Sequence, residues 1–379
     1  MLLSGREAFS PYFGGALARW TYEVYRRLAK EIDVTVFGFP TPSDRRYPLP
    51  HYSSPICHVC KIVGRVPIAR RYEEALWLRA LASRIDQADV VHIHNRPQWV
   101  NIVRKLGFRR TIILHLQNDH LCHWSAEMLE RLAGELDAVV VCSSYLAQTF
   151  SSKSSRIASK THVVFNGVDT RVFYPREEVR EPQTILFVGR FDREKGVLQL
   201  VRAYANVIEQ HPKARLVIGG TTGFGTHEAT AYVREVHALA RRLEPDHSVE
   251  FPGYIDHDRD LPGWFQKATV FVSPSLFQEP FGLVNAEAMA CATPVVGSER
   301  GGIPEVLGET GRLVDPEDGQ MLADAISLLL SRPDERAHLG SAALDRARAL
   351  FDWPVIAKRW LAIVTQLVRG TGSVAQVGN

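Results

Sequence analysis

Long hydrophobic runs are missing from this chain of 379 residues. None approaches the eighteen or so apolar residues that a membrane-spanning helix needs. The first seven residues also lack the basic-then-apolar layout of a secretory leader, so a cytoplasmic location is the expectation. Cysteine is scarce, at five in the whole chain, which excludes a disulfide framework. Cys57 and Cys60 have the spacing of half a zinc site, and His120, Cys122 and His123 could complete it. No second Cys-x2-Cys follows, and buried or loop thiols are the favoured reading. Net charge is small, at +3, and no nucleic-acid partner is expected. That value hides an asymmetry: residues 1–175 carry 23 basic against 15 acidic side chains, residues 176–379 carry 22 against 27. A basic first half could face an anionic acceptor or touch a membrane surface peripherally. Internal repeats and long low-complexity tracts are absent too.

What is present is an alternation. Apolar runs of four to six residues alternate with longer segments of helical period, which predicts parallel βαβ units in an α/β fold. Strands are predicted at 32–37, 89–94, 111–116, 138–142 and 162–165, and helices at 16–30, 72–86, 97–105 and 126–135. The pattern restarts with a strand at 184–188, after a charged, proline-containing stretch at 171–183 that reads as a linker. A chain of this length suggests two domains.

The stretch 273–296 organises the rest. It reads as a strand ending at Ser273, a loop, a helix opening near Gly282 and a further strand. Pro280 suits the first turn of that helix, where no backbone donor is needed. The amides of Phe281, Gly282 and Leu283 would then be unpaired and available to hydroxyl or phosphate oxygens. Glu279 and Glu287 stand eight positions apart across the junction, a spacing suited to gripping one long polar ligand at two places. Upstream, the loop after strand 184–188 carries Gly189, Arg190 and Lys195. Two cations beside a helix start can neutralise a leaving group whose charge grows during bond cleavage. Asp256-x-Asp258 could hold a metal, but it stands just before a predicted helix at 261–267, and capping is the favoured reading. Near the amino terminus, Gly14 and Gly15 precede the first helix and would let backbone approach a ligand closely.

Glu279-x7-Glu287 with Pro-Phe-Gly between resembles the E-x7-E signature of the retaining GT-B glycosyltransferases of family 4. The glycine pair 14–15, Asn166-Gly-Val-Asp169 and the Gly189-Arg190…Lys195 loop occur in the family's order. The resemblance implies two Rossmann-like domains with parallel sheets facing across a cleft. It places the first at 1–170, a linker at 171–183, the second at 184–352 and a helix at 353–370 crossing back to the first. It also implies transfer of a sugar, with retention, from a nucleotide sugar (UDP-linked being the commonest) to a saccharide or other hydroxylated acceptor, with no cofactor and no metal.

By the same resemblance Glu279 would contact the donor sugar, Glu287 the ribose, and Arg190 and Lys195 the diphosphate. Gly14, Gly15, Gly189, Pro280, Phe281, Gly282 and Leu283 would line the donor site, with Tyr254 and Ile255 against the base. The loop Asn95-Arg96-Pro-Gln-Trp99 resembles that of a spore-coat subgroup and makes Arg96 and Trp99, with His120, acceptor candidates; Trp99 could equally be a core aromatic. Family members carry a histidine where this chain has Gln117, and either Gln117 or His115 is the expected positioning group. An amide can hydrogen-bond a sugar but cannot carry a proton as imidazole does. Two alternatives stand beside this reading: a non-catalytic envelope or spore-coat component that keeps the fold, and a nucleotide-sugar epimerase.

Overall fold

The computed structural model describes residues 1–3, 9–10, 15–38, 43, 46–52, 67–221, 230–243 and 249–372, with backbone alone for 67–73 and 370–372. Two compact units emerge: Met1–Phe165 together with Trp353–Asn379, and Asn166–Asp352. The border therefore lies at 165 rather than 170, and the expected linker belongs to the second unit. The reason is hydrogen bonding: Val168 N–H donates to the Phe351 carbonyl at 2.8 Å and Glu181 N–H to that of Lys267 at 2.8 Å. The Arg180 guanidinium donates to the Ala268 carbonyl at 2.6 Å.

In the first unit, chain order is α1 (Ala16–Arg27), β1 (Val36–Phe37), β2 (His51–Tyr52), α2 (Pro67–Ala80), α3 (Ala82–Ile85) and β3 (Val90–His94). Then come α4 (Gln98–Lys105), β4 (Thr111–Leu116), α5 (Ala126–Glu135), β5 (Ala138–Val141), α6 (Ser144–Ser151), α7 (Ser155–Ala158) and β6 (Thr161–Val163). Strands β3, β4, β5 and β6 pair in that order, all parallel. Leu2 bridges Phe37 on one side and Ile93 on the other, so β1 and β2 continue the same sheet through a first strand reduced to a single bridge. The strand expected at 32–37 shrinks to its last two residues, the only two there with a paired neighbour.

The second unit begins with β7 (Thr184–Val188), α8 (Val197–Gln210), β8 (Arg215–Gly219), α9 (Ala231–Arg242), β9 (Val249–Gly253) and α10 (Leu261–Lys267). It continues with β10 (Val270–Ser273), α11 (Leu283–Ala290), β11 (Val295–Ser298), α12 (Ile303–Leu307), β12 (Arg312–Val314), α13 (Gly319–Ser331) and α14 (Pro333–Leu350). Six parallel strands pair in the order β12-β11-β10-β7-β8-β9. Counted from its own first strand this is 3-2-1-4-5-6, the doubly wound order, which reverses direction between β7 and β10. Helix α8 buries Val197, Leu200, Val201, Tyr204 and Val207 at helical spacing against the sheet core.

The last helix, α15 (Trp353–Gly372), packs with the first unit. Trp353, Ile356, Trp360 and Ile363 form its buried stripe, and Trp360 meets Trp20 of α1 edge-on with ring centres 5.3 Å apart. Among the described residues no helix is long and apolar enough to cross a membrane.

Candidate functional site

In open doubly wound sheets ligands bind beyond the carboxyl ends of the strands, at the point where strand order reverses. In the second unit that point is flanked by the loops after β7 and β10, the two stretches carrying Lys195 and Glu279. After β7 the chain closes on its neighbours through backbone: Gly189 N–H donates to the Gly219 carbonyl at 3.1 Å and Phe191 N–H to that of Thr221 at 3.0 Å. A single 3-10 turn, Arg193–Lys195, follows, capped by the Asp192 carboxylate accepting from Lys195 N–H at 3.1 Å. Gly196 leaves that turn at φ +70° and starts α8.

The loop after β10 lies directly on this turn. The Glu194 carbonyl accepts from Leu276 N–H at 2.8 Å and from the Ser275 hydroxyl at 3.2 Å. The Lys195 ammonium touches the Glu279 carboxylate oxygen Oε1, and the Ser275 hydroxyl lies 3.4 Å from the same atom. Glycines 301 and 302 brace Glu279 from behind. Gly302 N–H donates to the Glu279 carbonyl at 2.6 Å, and a Cβ on Gly301 would stand 2.3 Å from that oxygen.

Helix α11 starts later than expected. Gly282 is its N-cap, at φ +82°, and Leu283 its first residue. Pro280 therefore lies outside the helix, whose first turn begins with Leu283 and Val284. A left-handed glycine between Phe281 and Leu283 breaks the helical run. Glu287 sits on the second turn and is 2% exposed. Its Oε1 lies 2.6 Å from His257 Nε2, and the other ring nitrogen of His257 is 2.9 Å from Asp258. Glu287 Oε2 and both amide atoms of Asn285 have no partner among the described residues. Unsatisfied polar atoms at this depth are costly unless a ligand or water completes them.

Ile255 packs over the end of β8, where a Cβ on Gly219 would meet its side chain at 2.3 Å, whereas Tyr254 is exposed. Asp256 accepts from the amides of Asp258 at 3.2 Å and Arg259 at 3.0 Å, so it caps the turn before α10. Arg190 departs from expectation: its side chain is 59% exposed and lies 3.3 Å from Asp192, with no described contact to Glu279. The structure thus brings together Lys195, Ser275 and Glu279, and separately His257 and Glu287. Sequence reasoning did not single out His257, Ser275 or Asn285. Only for Asn285 was there a signal, a lone amide in a helix whose other residues, Glu287 apart, are apolar.

In the first unit Gly15 is the N-cap of α1, while Gly14, Cys57 and Cys60 lie outside the described residues. Two expected site residues prove to be interior. His115 is fully buried, its ring 4.5 Å from that of Trp20, because its side of β4 is roofed by α1 and α15. Trp99 is 1% exposed, lies tilted against Trp77 with ring centres 5.1 Å apart and donates its indole N–H to Glu74 at 2.9 Å. Both are core residues rather than substrate contacts. Gln117 is also buried, held by its own N–H donating to Asn95 Oδ1 at 2.9 Å, but its side-chain NH2 has no described partner. Arg96 pairs with Glu74 at 3.7 Å. Burial and the nearby Arg96 hold the His120 imidazole below its ordinary range.

Family models match both halves of the chain: "Glycosyltransferase Family 4" over residues 13–172 and "Glycosyl transferases group 1" over residues 172–346. Spore coat protein SA of Bacillus subtilis (strain 168) is 32% identical over 376 residues, covering 92% of this chain and 94% of that protein. Alpha-maltose-1-phosphate synthase of Mycolicibacterium smegmatis is 31% identical, covering 94% of this chain and 97% of its own. Among solved structures, HepE of Anabaena in complex with UDP and glucose superposes with a TM-score of 0.72 at 20% identity, over 96% of this chain and 99% of that one.

Proposed function

The chain belongs to the family 4, group 1 glycosyltransferases, and we propose that it moves a hexose or N-acetylhexosamine from a UDP-sugar to a hydroxylated acceptor, with retention and without a metal. The observation that carries this reading is the contact of Lys195 with Glu279 at the point where the second sheet reverses. An ammonium there can neutralise a diphosphate while the neighbouring carboxylate holds the sugar. In this reading Glu287 accepts from ribose hydroxyls through its unpartnered oxygen, and Leu283 and Val284 offer amides to phosphate oxygens. Arg190, whose side chain is exposed, joins the diphosphate; Arg96 and His120 serve the acceptor, and Gln117 hydrogen-bonds the transferred sugar.

The bond from the anomeric carbon to the leaving phosphate oxygen breaks as the bond to the acceptor oxygen forms on the same face. The acceptor proton passes to that phosphate oxygen, so no protein base is required. This accords with a core His115 and with an amide at position 117. HepE's crystallised partners make UDP the first nucleotide to try.

A thermal-shift screen of UDP-, GDP- and ADP-sugars tests the donor, since a ligand that binds only the native state raises the melting temperature. A selective shift with one UDP-sugar, together with its slow hydrolysis, is expected. Silence from every nucleotide would overturn the reading. Binding without hydrolysis or transfer would favour a fold-retaining coat component instead, a role suggested by the name of the Bacillus subtilis relative.

The His257–Glu287 pair supports a second measurement. His257→Ala should weaken UDP binding roughly tenfold, the scale of one hydrogen bond to a charged group, and His257→Gln should restore most of it. An unchanged dissociation constant for UDP in the alanine variant would detach His257 from the nucleotide.

A further inference from the structure

Three histidines that the proposed chemistry does not use lie together inside the first unit. His92 and His94 are alternate residues of β3 and share one face of the sheet, and His115 is the register partner of His94 on β4. All three are buried, at 2% exposure or less. Their rings are 4.2 Å (His92 to His94), 4.6 Å (His94 to His115) and 5.4 Å (His92 to His115) apart, centre to centre. Trp20 of α1 and Trp360 of α15 cover them, with centroids 4.5 Å from His115 and 4.4 Å from His92 respectively. Five ring nitrogens, Nε2 of His92 and both nitrogens of His94 and His115, have no partner among the described residues.

A neutral imidazole carries one donor and one acceptor, and leaving either unmet in a dry core costs about 1–3 kcal/mol. Five such atoms in one place call for a shared partner. One nitrogen of each ring can be chosen so that all three lie within 4.8 Å of one another. Around a zinc-sized ion with bonds of about 2.0–2.1 Å, tetrahedral ligand atoms stand about 3.3 Å apart, so the three nitrogens would draw closer around it. The sixth nitrogen, His92 Nδ1, is already committed to the Tyr25 hydroxyl at 2.9 Å. That bond holds the ring through Nδ1 and leaves Nε2 without a partner among the described residues, as outer partners do for metal-bound histidines.

We propose that His92, His94 and His115 bind one late first-row transition-metal cation, a structural ion that fastens β3 to β4 beneath α1 and α15. Imidazole ligands suit zinc, copper, nickel and iron and not calcium or magnesium. The roof of two indoles keeps substrate away, so the ion serves folding and takes no part in sugar transfer.

The full-length protein, purified from cells grown in zinc- and copper-supplemented medium and passed over a chelating resin, should retain about one equivalent of metal by elemental analysis. Refolding it in cobalt(II) should produce the visible absorption of a tetrahedral site, and refolding with zinc should raise the melting temperature by several degrees over refolding in chelator. His94→Phe and His115→Phe keep a planar ring of similar size, so each should fold, lose the bound equivalent and lose the zinc-dependent shift. The exposed group Asp119, Cys122 and His123 could also take metal, and the phenylalanine variants separate the two. Metal retained undiminished in both variants would assign it elsewhere and overturn the proposal. So would wild-type protein holding less than roughly a tenth of an equivalent with no response to zinc on refolding.

Discussion

Glu279→Gln should reduce the transfer rate by about 10²- to 10³-fold while changing the apparent affinity for UDP little, the effect seen when one charge-stabilising contact is removed from a transition state. Glutamine keeps the size and one acceptor oxygen but removes the charge. In the structure that charge is shared between the Lys195 ammonium and the Ser275 hydroxyl. A strained contact is not being relieved, so the fold should be preserved and the melting temperature nearly unchanged. Lys195→Ala should lose a comparable factor. Because the two side chains touch, the double variant should fall well short of the product of the single losses. Steady-state turnover of the UDP-sugar identified by the thermal screen reads all three. If both single variants turn over at the wild-type rate, these residues are not the site. If their effects multiply, they act independently of each other.

The second large effect is on stability. Gly196→Ala should destabilise the second unit by about 3 kcal/mol or more and lower its melting temperature by roughly 6–12 °C. Two penalties combine. Gly196 has φ +70°, which costs an L-residue about 1–2 kcal/mol. A methyl group there would stand 1.9 Å from the Pro274 carbonyl oxygen, a backbone atom that no rotamer change can move aside. The loops after β7 and β10 would have to separate, and with them the Glu194 carbonyl and its bonds to Leu276 and Ser275. Gly263→Ala is the control. It lies inside α10 with nothing within 4 Å of its Cβ position, and it should be neutral or stabilising by up to about 1 kcal/mol. Equal thermal unfolding of the two variants would show that the close loop approach carries no weight.

Much of the architecture could be read from residue order. Strands β4 and β7 and helices α5 and α10 begin and end where periodicity predicts. Their ends carry local signals, such as the Ser125 side chain accepting from Met128 N–H ahead of α5. Where such signals are weak the limits moved: α1 stops at Arg27 instead of residue 30, and Pro280 fell outside α11 because Gly282 takes a left-handed conformation. Periodicity could also place Lys195 and Glu279 at strand ends, since the doubly wound pattern sends every such loop to one edge of the sheet.

By itself, then, the order of residues determined the alternation of strands and helices, the two parallel sheets and the loops that carry the charges, because those follow from short-range periodicity and capping. Tertiary structure alone decided which side chains meet. Thirty positions separate His257 from Glu287, and nothing local to either announces the 2.6 Å contact between them. His115 and Trp99 lie next to loops that carry candidate site residues and yet are core, because α1 and α15 cover the first and a helical Trp77 the second. Burial depends on what packs across from a residue, and that partner comes from elsewhere in the chain.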